Sequence, residues 1–144
     1  MGSMNSAKIS YAGVAGAVGG VVALIGVYAD WWETSNATFE GTADISGSLA
    51  LAMAIATFAF GAAFVLLSDA RIRRAMGALM TLCAVVLVIA CIWGTMREGD
   101  VAAGAVVANG LYLSMLGGAI SVAAGILSLK DVSMTEAEVE GAGA

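Results

Sequence analysis

Residues 45–67 read ISGSLALAMAIATFAFGAAFVLL, 23 positions without a charge, and this stretch decides the fold. At 1.5 Å per helical residue such a run is about 35 Å long, enough to cross a hydrocarbon core of about 30 Å. Within it Gly47, Ala50, Ala54, Thr57 and Gly61 recur at steps of three and four, so they share one helical face, while Leu49, Met53, Phe60, Phe64 and Leu67 fall opposite. In lipid, helices gain little from the hydrophobic effect and associate by close backbone approach and polar contacts. The small face is therefore expected to meet another helix, and the large face to meet lipid.

Three further runs flank this one. Residues 9–29 hold 21 uncharged positions, residues 75–96 hold 22, and residues 101–129 hold 29. The first reads as a retained helix rather than a secretory signal: its apolar part is too long, and it ends in Tyr28-Ala29-Asp30-Trp31-Trp32 instead of a small-residue cleavage site. The last is longer than a bilayer needs. Either it tilts, or residues 101–106 lie beyond the hydrocarbon, with Asn109 in the outer headgroup zone near Trp31, Trp32 or Trp93. Between the runs stand an acidic loop, DWWETSNATFEGTAD (30–44), a basic link, SDARIRR (68–74), and a brief turn, REGD (97–100).

The composition leaves no room for a soluble domain. Of 144 residues 60% are hydrophobic and 12% charged, mean hydropathy is +0.94, and the 19 glycines lift the apolar share to about 73%, against about 45–50% in ordinary soluble domains. Five of the six basic residues, Lys8, Arg71, Arg73, Arg74 and Lys130, fall at the two termini and the middle link, and only Arg97 falls on the other side. The positive-inside rule then places both termini in the cytoplasm. The expected fold class is all-α: an integral membrane antiparallel four-helix bundle. Its segments are a cytoplasmic stretch 1–8, spans 9–29, 45–67, 75–96 and 101–129, and an acidic cytoplasmic tail 130–144, in which Ser133 and Glu136 fit a helix cap.

The other spans carry small-residue stripes too: Gly13, Gly16, Gly20 and Ala23 in the first, Gly77, Thr81, Ala84, Cys91 and Thr95 in the third, and Gly110, Ser114, Gly117, Ser121, Ala124 and Ser128 in the fourth. These are the expected packing faces. Trp31, Trp32, Trp93 and Tyr112, with Tyr28, map to the outer boundary, where amphipathic rings anchor in headgroups or bind a partner.

Chemistry is sparse. There is no histidine or proline, no ionisable group inside a span to couple protons to transport, no phosphate loop and no nucleophile elbow. The acids of the 30–44 loop match no metal-ligand order, so neither metal nor cofactor is expected. Cys83 and Cys91, eight positions apart on one helix, are too distant to form a disulfide. Scattered bases and a net charge of −5 argue against nucleic acid. The expected partners are the lipid bilayer and either a second copy or another membrane protein. The leading expectation is a non-enzymatic membrane protein acting through helix-mediated assembly. The alternatives are an oligomeric small-solute or ion channel whose polar path uses Thr57, Thr81, Ser114, Ser121 and Ser128, and lipid or isoprenoid binding by the Trp31-Trp32 loop.

Tryptophan closing helix one, a polar first outer loop, an arginine-rich middle link and the final-helix sequence GLYLSMLGG (110–118) make the chain resemble a loose class of small bacterial, often actinobacterial, four-span proteins. The layout over residues 9–129 is also similar to that of claudins, without their paired loop cysteines or Gly-Leu-Trp sequence. That resemblance implies topology alone.

Overall fold

The computed structural model describes residues 2–143, with side chains over residues 11–130. The chain is mostly helical, and four of its helices are long and apolar enough to cross a membrane. In order they are α1 (Gly2–Tyr28), α2 (Ile45–Leu66), α3 (Ala70–Met96) and, after a one-turn α4 (Glu98–Val101), α5 (Asn109–Gly143). The helix starts follow local chemistry. Asp44 caps α2 by accepting from the Ser46 N–H and hydroxyl at 3.2 and 2.8 Å, and Asp69 caps α3 by accepting from the N–H groups of Arg71 and Ile72 at 2.8 and 3.4 Å. Helix α5 continues unbroken through residues 133–136, so no separate helix starts there; side-chain readings in 1–8 and 131–144 lie outside the described residues.

The long helices form a ring in which α1 packs on α2 and α5, α3 packs on the same two, and the diagonal pairs barely touch. At the α1–α2, α1–α5 and α3–α5 contacts the residue numbers run in opposite senses. Gly13 lies beside Gly61, Phe64 and Val65, and Gly20 beside Ala54 and Phe58; Gly19 and Gly26 meet Gly117 and Ser114; Gly77 and Gly125 meet Ser128 and Thr81. Small residues line much of the helix interior, and many large apolar ones face outward. Ala23, Ala50, Ala54, Ala84, Ala90 and Ala124 are buried, whereas Val18, Ile25, Ile55, Phe58, Leu82, Ile89, Leu116 and Ile126 are exposed.

Two sequence expectations need correction. The chain is not wholly helical: the expected polar loop 30–44 supplies β1 (Asp30–Glu33) and β2 (Thr38–Glu40), the expected last span supplies β3 (Val106–Val107), and the three form an antiparallel sheet in the order β2-β1-β3. Their aromatic and β-branched residues favour the pleated backbone. The uncharged run 101–129 accordingly does not form one helix. A turn at Ala102–Ala105, closed by an N–H to carbonyl bond of 3.1 Å and made possible by Gly104 at φ 76°, sends residues 106–107 back to β1, and the long helix begins only at Asn109. The second correction concerns Phe64, which faces the interior and is fully buried, because the missing side chains of Gly13 and Gly77 vacate the space its ring fills. Leu49 and Leu67 remain exposed at 37% and 38%, with Met53 and Phe60 half-buried.

Candidate functional site

Among the described residues the charged side chains stand at the two ends of the long helices. At one end the 30–44 loop and the 97–108 segment close over the ring as a braced cap, built around two adjacent tryptophans. Alternation along a strand turns one of two neighbours inward and the other outward. Trp31 and Trp32 are nonetheless both fully buried. The register explains this: Asp30 pairs with Glu40 and Trp32 with Phe39, so the pairing is irregular at Trp31, and such a bulge re-aims one side chain. The two rings meet edge to face with centroids 5.4 Å apart.

Each indole is fastened to a helix terminus. The Trp31 N–H donates to the Gly26 carbonyl at 3.0 Å, in the last turn of α1, and the Trp32 N–H to the Gly94 carbonyl at 3.1 Å, in the last turn of α3. Each of these carbonyls also accepts a backbone N–H, from Ala29 and from Arg97 at 3.2 Å, so the indole is a second donor that ties the loop to the helix end. Glycine at 41 and 94 makes the room: a Cβ there would stand 2.8 and 2.9 Å from the Trp31 ring. The Ala108 N–H donates to the Trp31 carbonyl at 2.7 Å, which brings the start of α5 up to β1.

An ion pair locks the rim. Arg97, at the C-terminus of α3, donates from Nε and Nη2 to the Asp44 carboxylate at 3.1 and 2.8 Å; it reaches Asp100 at 3.4 Å and lies 5.8 Å over the Trp93 ring. Both charges agree with the helix dipoles, the anion at the start of α2 and the cation at the end of α3. The Arg97 guanidinium holds the Asp44 carboxyl down, from 3.8 to about 2, against the cost of burial, and hydrogen bonds from Ser46 add to the effect.

The tryptophan expectation thus needs correcting for two residues. Trp31 and Trp32 do not present their rings to headgroups, lipid or a partner, because the bulge and the glycine gaps draw both inside. Trp93 and Tyr112 are outward, at 38% and 57% exposure, as is Tyr28 at 55%. Asn109 is the exposed first residue of α5, next to the segment held against Trp31.

The expected packing residues are all buried: Gly13, Gly16, Gly20, Ala50, Ala54, Thr57, Gly61, Gly110, Ser114, Gly117 and Ser121. What they meet is this same chain. Ser114 donates to the Ala23 carbonyl at 3.1 Å and Ser121 to the Gly16 carbonyl at 2.8 Å, both from α5 to α1. Thr57, Thr81 and Ser128 donate within their own helices, to the carbonyls of Met53, Gly77 and Gly125 at 2.7, 2.8 and 2.8 Å. The hydroxyls considered for a polar path are therefore engaged with backbone. Sequence reasoning missed Gly19, Gly26, Gly118 and Gly125, because each helix of a ring has two neighbours and one stripe per helix was sought. A search for a second stripe offset around the helix would have found them.

At the opposite end α3 opens with Arg71, Arg73 and Arg74. Arg73 donates from Nε to the Leu67 carbonyl at 2.6 Å and lies 5.7 Å over the buried Phe64 ring. Cys83 and Cys91 are free thiols. Among the described residues no group of three histidine, cysteine or acidic side chains is close enough to hold a metal. No protein-family model, curated protein or solved structure matches this chain.

Proposed function

We propose that the chain is a multi-pass protein of the cell membrane, an antiparallel bundle of four spanning helices with both termini in the cytoplasm. It works without chemistry of its own, by assembling with a second copy or with another membrane protein. Its contact is the sheet at the outer end. The observation that carries this reading is the sheet order: β2 and β3 are both edge strands, with Thr38 and Val106 exposed on them, over a cap braced from beneath by two buried tryptophans. Edge strands offer unpaired N–H and C=O groups, and a rigid support lowers the ordering cost of binding. The small-residue faces, by contrast, are spent inside the chain.

Photocrosslinking in native membranes tests the proposal. A photoreactive residue at position 38 or 106 should give an adduct of defined mass, and one at Leu127, an exposed α5 residue far from the cap, should not. Adducts at 127 with none at 38 or 106 would move the contact to the helices and overturn the reading.

A further inference from the structure

We propose that the free edge of β2 takes a basic strand of another protein, an extended segment with lysine or arginine at alternate positions, and not a second copy of this chain. The inference rests on the sheet contact proposed above and names its partner. β2 is the longer of the two edges, and outside the sheet no backbone hydrogen bond occupies Thr38 or Phe39 among the described residues. Strand alternation puts Thr38 and Glu40 on the exposed face and turns Phe39 inward against the core, and the exposed Glu33 of β1 is the partner of Thr38. A strand laid along β2 therefore sets every second residue beside Glu40 and Glu33, and the residue between them beside Phe39. The acids fit bases, and the ring fits a β-branched side chain.

Charge chooses the occupant. The cap segments 30–44 and 97–108 hold six carboxylates, Asp30, Glu33, Glu40, Asp44, Glu98 and Asp100, against one base, Arg97. Arg97 is committed to Asp44 and Asp100, so among the described residues Asp30, Glu33, Glu40 and Glu98 have no ion pair. Helix α1 starts and α5 ends at the opposite end of the long helices, where Gly13 lies beside Gly61 and Phe64 and Ser128 lies beside Gly77, so the cap's charges are those of its own two segments. Asp30 and Glu40 are direct partners across the sheet, a like-charge pairing that costs stability in the free chain and is relieved by a cation placed beside it. Two copies joined edge to edge would instead set one acidic cap against another.

The test uses the full chain in phosphatidylcholine nanodiscs, whose lipid carries no net charge, with the end-blocked peptide Lys-Thr-Lys-Val-Lys-Thr-Lys as probe. The wild type should bind it about tenfold more tightly than an analogue with glutamate in place of each lysine. Glu33→Gln combined with Glu40→Gln should weaken binding of the basic peptide about fivefold, while Trp31 and Trp32 stay protected from N-bromosuccinimide, the sign of an intact cap. Because the sequence after residue 130 also carries acids, this loss, rather than binding alone, assigns the peptide to the cap. Methylating every backbone nitrogen of the peptide keeps its charge but removes its donors, and should abolish binding, which separates strand pairing from diffuse attraction. A photoreactive residue at position 38 should capture the peptide, and one at 106 should not. Equal affinity for the two peptides, or binding unchanged by the double substitution or by methylation, would overturn the basic strand. In native membranes the adducts separate this inference from the reading beneath it. An adduct at 38 of twice the chain's mass keeps the sheet as the contact and overturns the basic partner, whereas adducts at 127 alone overturn the sheet contact itself.

Discussion

Gly117 and Gly16 are both buried in helix contacts, yet they differ in what a methyl group would strike. A Cβ on Gly117 would run into the backbone of α1, the Gly19 carbonyl and the Ala23 N–H, and backbone cannot turn aside. A Cβ on Gly16 would meet the Met80 sulfur, the far end of a flexible side chain. Gly117→Val should therefore destabilise the protein by about 1–3 kcal/mol or more by forcing α1 and α5 apart, whereas Gly16→Ala should be close to neutral. Thermal unfolding in a mild detergent measures both. A comparable loss in the two variants would show that Met80 cannot yield, because both substitutions raise helix propensity and propensity alone would produce no loss. The same logic makes replacement of Ser114, Gly117 and Ser121 together by leucine a lesion of the fold, because all three face α1 of their own chain.

The elements differ in how plainly the sequence announces them. Helix α2 begins where Asp44 caps it, and the same carboxylate receives Arg97 from the end of α3, so one side chain starts one helix and ties down another. Because the folded pKa of Asp44 lies below its ordinary value, the pair contributes stability above about pH 4 that is lost as the pH falls through about 2. Wild type should then melt a few degrees above Asp44→Asn at neutral pH, and the gap should close between about pH 4 and pH 2. A gap that persists at the acid end would assign the effect to something other than this charge. The four long apolar helices are legible because each is a long uncharged run bounded by acids or arginines, the pattern a hydrocarbon surrounding requires. The strands are not legible, for two physical reasons. Consecutive Trp31 and Trp32 contradict period-two alternation, and the bulge that reconciles them carries no glycine. Residues 101–108 are as apolar as a span, so only the turn at Gly104 and the pairing of Val106 and Val107 with β1 separate them from α5. Burial of both tryptophans was unreadable for the same reason: aromatic rings at a span's end look alike whether they sit in headgroups or under a sheet.

Across the whole molecule the cap joins parts of the chain that are far apart in sequence. Trp32 and Gly94 are 62 positions apart, Asp44 and Arg97 are 53 apart, and β1 is paired on one side by a strand that immediately precedes α5. The cap therefore cannot close on three helices. A chain ending at residue 100 lacks β3 and α5, and should leave both indoles open to N-bromosuccinimide. In the full chain only Trp93, exposed at 38%, should react. Unchanged protection of Trp31 and Trp32 in the short chain would mean that the first loop closes by itself. The consequence reaches into biogenesis. Until the last helix is in place the segment that pairs with β1 is missing, so burial of Trp31 and Trp32 reports a chain that has folded through α5.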